Sequence, residues 1–245
     1  MNLNFQIIFK KRMTTNVETL LINDNICHLN ECLKQTFIAK TYTTVFSQLL
    51  FIGLFVVVGK LNQAVSQFMI CPIGMGVLFV FFNIWIVLSV FLFCLGDSLR
   101  EHPYNIVFVI SYTILLTYFL VFISIQNTCE VLLLSGALTL FLVSGITIYA
   151  WQTKIAYTEK GNYLLISLLS LISFGLMNMF LQLSILTILY PLVGTTLFAF
   201  YIIYSTKLLF REFKYSPDDY LIASINIYLG IITLFVHGFD LLSCR

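Results

Sequence analysis

The chain has 245 residues, of which 60% are hydrophobic and only 10% are charged, with a formal net charge of +2. A soluble domain is about 45–50% apolar and about 25% charged, so too few charges are present to coat a soluble globule of this size. Nucleic-acid binding is excluded too, since no basic stripe survives outside the segments that flank the apolar runs.

The elements follow in chain order. Residues 1–36 read as a polar cytoplasmic tail, without the continuous apolar stretch of a cleavable signal peptide. A helix needs about 20 apolar residues to cross a bilayer core. Seven runs qualify: Thr44–Val58 extended by Gly59, Cys71–Leu95, Ile106–Ile125, Val131–Trp151, Tyr163–Leu181, Ile185–Thr206 and Leu221–Leu242. They are apolar on every face, which argues against the alternating strands of a barrel. In lipid the backbone must satisfy its own hydrogen bonds, so helices follow. The reading is an all-α membrane protein: a bundle of about seven transmembrane helices over 37–245, its last helix central or re-entrant.

The basic residues fix an expected orientation. Lys10, Lys11, Arg12, Lys34, Lys40, Arg100, Lys154, Lys160, Lys207, Arg211 and Lys214 all fall on the side of the N-terminus, eleven of the 13 present. Lys60 and Arg245 lie opposite. This bias places the N-terminus in the cytoplasm. The six cysteines (Cys27, Cys32, Cys71, Cys94, Cys129, Cys244) form no CxxC pair, so a zinc or redox site is unsupported. Cys71 and Cys129 share the non-cytoplasmic side, and two free thiols is the plainer reading beside a bridge.

Ionisable residues inside a membrane are the default functional candidates. Here they are few. His237 stands in the last run, either as a neutral imidazole hydrogen-bonded to a neighbouring helix or water, or as a proton sensor. Asp240 follows at the interface. Asp97, Arg100, Glu101 and His102 cluster in a loop. Gln48, Asn83, Asn178, Gln182, Ser205 and Asn226 can bond between helices, and the small residues Gly194, Ala199, Ala223 and Ser224 permit close approach of the last two. No HExxH, GxSxG, P-loop or GxGxxG occurs, and no pair of intramembrane carboxylates supplies acid–base chemistry, so the chain does not read as an enzyme.

Five stretches resemble the Bax-inhibitor-motif (lifeguard) family. FIAKTYTTVFSQLLFIG (Phe37–Gly53) is similar to the start of its first helix, and REHPYN (Arg100–Asn105) to its second cytoplasmic loop, through His102, Pro103 and Asn105. ITIYAWQTK (Ile146–Lys154) resembles the end of its fourth helix, although Ala156 stands where an Asp usually follows. YPLVGTTLFAFYIIYSTKLLF (Tyr190–Phe210) resembles the sixth helix. YSPDDYLIASINIYLGIITLF (Tyr215–Phe235) resembles the opening of the seventh, with Asp218, Asp219 and Tyr220 at its start.

The resemblance implies a calcium leak that influences cell death, in endoplasmic reticulum or Golgi before plasma membrane. Calcium is then the transported ion, with no cofactor. Lipid and apoptosis-related membrane proteins are the implied partners; the oligomeric state stays open. Two positions depart. The family carries an Asp in helix six and another in helix seven, a buried pair that senses pH, because two acids in one low-dielectric site share a proton. Here Ser205 and Gly230 stand at those positions. They leave room for water, and Ser205 can ligate a cation weakly, but calcium prefers several oxygens, carboxylates among them. Ser205, Gly230, Asn226, His237 and Asp240 are the pore or gating candidates. The alternative is a pore-dead membrane adaptor that acts through protein partners. An unrelated transporter is a third reading, disfavoured by the scarcity of intramembrane charge.

Overall fold

The structure is a computed structural model and describes residues 3–94, 103–153, 161–181, 184–212 and 219–243. All regular structure among them is helical: α1 (Leu3–Leu61), α2 (Gln63–Ile70), α3 (Pro72–Cys94), α4 (Tyr104–Gln126), α5 (Cys129–Gln152), α6 (Gly161–Leu181), α7 (Ser184–Lys207), a π-helical turn (Leu208–Glu212), and α8 (Tyr220–Ser243). Among the described residues six spans, within α1, α3, α4, α5, α7 (with the first residues of the π-turn) and α8, are long and apolar enough to cross a membrane. The fifth expected run forms the 21-residue α6, whose described apolar stretch is Ile166–Gly175.

Two departures from the expected elements have simple causes. The first helix begins at Leu3, not Thr44, and is 59 residues long. Apolar runs report contact with lipid, whereas helicity needs only the absence of breakers, and no glycine or proline precedes Gly53. The short α2 lies in what reads as a loop. Its signals are local: Asn62 is in an extended conformation and its side chain accepts the Ala64 amide at 3.0 Å, the N-cap arrangement. Pro72 then forces Cys71 into an extended conformation and opens α3.

The core is built around α8. It packs against α7, α1, α5 and α4, while α3 rests on α4 and α6 on α7. Two thirds of its apolar window is buried (67%), against 6% for α3, so α8 is the axis and α3 faces lipid. This bears out the central placement of the last helix, which is one continuous helix of 24 residues. Tyr228 and Ile225 are fully enclosed, with Tyr112, Leu116 and Leu120 from α4, Phe37 and Val45 from α1, and Ile202 from α7 in the same core. Several hydroxyls inside the bundle are satisfied by their own helix: Thr41 donates to the Phe37 carbonyl, Thr117 to Thr113 and Thr233 to Leu229. At one end of the bundle Lys60 Nζ donates to the Asn127 carbonyl, closing the C-terminus of α4.

Candidate functional site

The pore candidates sit where α7 meets α8. These helices run antiparallel, joined through the π-turn and a segment that ends at Asp219. Asp219 precedes the first residue of α8, and its carbonyl accepts the Ala223 amide at 3.1 Å. From that start, Asn226, Gly230, His237 and Asp240 lie along one helix. Ser205 and Gly230 are buried, and Asn226 is half-buried.

Gly230 does not leave room for water, contrary to the expectation from sequence. A Cβ placed there would lie 2.9 Å from Ile202 Cγ1 and 3.1 Å from Tyr201 Cδ1. Carbon atoms prefer about 3.5–4.0 Å. The contact is filled by packing: α7 presses a ring and a branched side chain onto the glycine. Ser205 stands one turn further along α7 than Tyr201.

His237 forms a second centre, seven residues or about 10 Å along α8 from Gly230. It is 5% exposed. Its imidazole is stacked on Phe198 (centroids 5.5 Å apart, planes at 28°) and meets Tyr190 edge-on (5.3 Å, 75°). The ring lies against the bare backbone of Gly194, where a Cβ would be 2.7 Å from Cδ2 and 2.8 Å from Cε1. The expected close approach at Gly194 is thus realised, and an imidazole fills it. Tyr190 in turn lies on Gly175 of α6, whose Cβ would be 2.9 Å from the phenol oxygen. Nδ1 of His237 is buried with no hydrogen-bond partner, so the expected bond to a neighbouring helix is not made at that atom. Asp240, half-buried, lies near Tyr190. The five candidates thus fall at two levels of one interface, not in one site.

Of the motif positions, His102 and Asp218 lie outside the described residues, as do Asp97, Arg100, Glu101 and Gln182. Pro103 forms the turn before α4, and the buried Asn105 accepts the Ile106 amide at 2.7 Å. Tyr220 is half-buried beneath Lys40, whose Nζ is 5.5 Å from the ring centroid. Three features escaped sequence reasoning. Lys207, counted as a loop cation, is 3% exposed, with Nζ 5.5 Å from the Tyr149 ring centroid. Thr206 beside it is fully buried. A polar layer also crosses the bundle: Gln48 Nε2 of α1 donates to Thr113 Oγ1 of α4 at 2.9 Å, and Ser89 of α3 bonds Tyr112 of α4 at 3.3 Å. Gln48 had a sequence signal, an amide inside an apolar run; the hydroxyl partners had none. Asn83, exposed on α3, bonds back to the Phe79 carbonyl. Cys32, Cys71 and Cys129 are free and exposed. Among the described residues no three His, Cys, Asp or Glu side chains converge as metal ligands.

Known proteins are similar to this chain in sequence. The family described as inhibitor of apoptosis-promoting Bax1 matches residues 34–244. Protein lifeguard 3 of Homo sapiens is 24% identical over 218 residues, 86% of this chain and 70% of its own length. The Golgi anti-apoptotic protein of Vaccinia virus (strain Lister) is 31% identical over 151 residues, 62% of this chain and 63% of its own length. An uncharacterized protein of Campylobacter jejuni is 30% identical over 166 residues, 64% of this chain and 71% of its own length.

Proposed function

The chain belongs to the Bax inhibitor family, and from that premise we propose that it modulates apoptosis from within an internal membrane, through contacts with other membrane proteins and without a paired-acid calcium gate. The carrying observation is the packing of Tyr201 and Ile202 onto Gly230. A gate of two carboxylates needs space and oxygen at that contact. Ser205 contributes a single hydroxyl, and the other side is a hydrogen atom under an aromatic ring. A cation stripped of water there would find too few oxygen ligands.

The anti-apoptotic activity in the viral relative's name supports the cell-death half of this reading, and the Golgi in that name supports an endomembrane location. The broad lipid-facing surfaces of α3 and α5 are where membrane partners would dock. The calcium leak implied by the resemblance is the competing reading, and one experiment divides them. The purified chain is reconstituted in vesicles holding a calcium indicator and stepped between about pH 8 and pH 5. Flux equal to that of protein-free vesicles is expected, while expression in cells delays death after an intrinsic apoptotic stimulus. A pH-gated calcium flux overturns the adaptor reading, and an unchanged rate of death overturns the apoptotic one.

A further inference from the structure

His237 is the one imidazole among the described α7 and α8 residues, and its surroundings are built from rings and glycines. Phe198 covers one face at 5.5 Å, Tyr190 meets its edge at 5.3 Å, and the Gly194 backbone occupies the remaining contact. Nδ1 has no partner. A neutral ring fits such a place as another aromatic would. A protonated ring does not, since a second N–H and a full charge would be held in apolar packing without an acceptor.

We propose that His237 is a proton-operated catch between α7 and α8: neutral, it holds the two helices together at the Tyr190–Gly194–Phe198 face; protonated, it leaves that face and turns to Asp240. Asp240 is three residues further on the same helix, within reach of a side chain at position 237. Among the described residues the other helices offer no rival counter-charge. α4 and α6 contain no acid, lysine, arginine or histidine. At this end of the bundle α1 contributes Lys60, which is held on the Asn127 carbonyl, and α5 contributes Glu130, which is exposed. From α7 the facing titratable group is Tyr190.

The part of α7 that would open is already weakened. Pro191, within the helix, donates no amide to the Thr187 carbonyl, and Gly194 follows three residues on. Release of His237 would also free Tyr190, the ring that lies on Gly175, so the event would reach α6. The catch uses a different group from the Ser205–Gly230 level and does not depend on the apoptotic reading.

Hydrogen–deuterium exchange of the full chain in lipid nanodiscs tests it, read on peptides covering 184–197 and 236–243 and corrected for the intrinsic effect of pH on exchange. Between about pH 7.5 and pH 5 the wild type should lose protection by about tenfold or more in both peptides, the ratio one unit of pH commands for one linked proton. His237→Phe, which keeps a ring in the box, should hold its protection at both pH values. Asp240→Asn, which leaves the box intact and removes the acceptor, should show a smaller loss than wild type, and it carries the test if His237→Phe does not fold. Equal losses in wild type and His237→Phe, no loss in wild type, or an undiminished loss in Asp240→Asn would overturn the proposal.

Discussion

Gly230 offers the most direct test of the packing at the α7–α8 contact. Replacing it with alanine adds one methyl group at a point 2.9 Å from Ile202 Cγ1 and 3.1 Å from Tyr201 Cδ1. Neither neighbour can yield by a simple tip rotation, because Ile202 is 1% exposed and Cδ1 belongs to a rigid ring. Overpacking of this kind costs about 1–3 kcal/mol. Alanine also gains about 1 kcal/mol of helix propensity over glycine, so the net change is about 0–2 kcal/mol of destabilisation. A control removes the propensity part. Gly53 on α1 has nothing within 4 Å of its Cβ position, and Gly53→Ala should be neutral to stabilising by about 1 kcal/mol. The two substitutions should therefore differ by about 1–3 kcal/mol, or roughly 2–12 °C in melting temperature for a chain of this size. Thermal unfolding in a mild detergent measures both. Combining Gly230→Ala with Ile202→Ala, which removes the contacting Cγ1, should cost less than the sum of the two single substitutions, since the two sites are in contact and their effects do not add. If Gly230→Ala and Gly53→Ala unfold within about 0.5 kcal/mol of one another, the contact at Gly230 is loose and leaves space for a gate.

Two further substitutions probe the interhelical bonds. Gln48→Leu should destabilise the fold by about 0.6 kcal/mol, and by at most about 1.7, with a matching coupling energy to Thr113→Val in a double-mutant cycle; a coupling of zero would show that the 2.9 Å bond contributes nothing. Lys60→Met removes the donor to the Asn127 carbonyl and should cost about 0.3–1 kcal/mol, seen as faster amide exchange confined to the last turn of α4; unchanged exchange there would remove the capping role.

Composition and the positions of its breaks were enough to identify the solvent of this chain and its helical class. With 10% charge and repeated apolar runs, lipid must surround most of the side chains, and in lipid only self-bonded helices satisfy the backbone. The Asn62 cap and the Pro72 start of α3 are local signals of the same kind. Which helix is the axis was not legible from hydropathy alone, because α3 and α8 both carry an apolar window long enough to span a membrane. α8 is buried by its neighbours and α3 by lipid, and apolar contact with either leaves the same composition. The placement of Lys207 was hidden for a related reason: its position at the end of a run marks it as interfacial, while its burial on Tyr149 depends on α5 lying alongside. The sharpest case is Gly230. As a letter in the chain it reads as a missing acid and an empty space. Only the approach of α7, which brings Tyr201 and Ile202 onto the bare backbone, decides that the space is full, because packing between helices is a property of their spacing and not of either sequence alone.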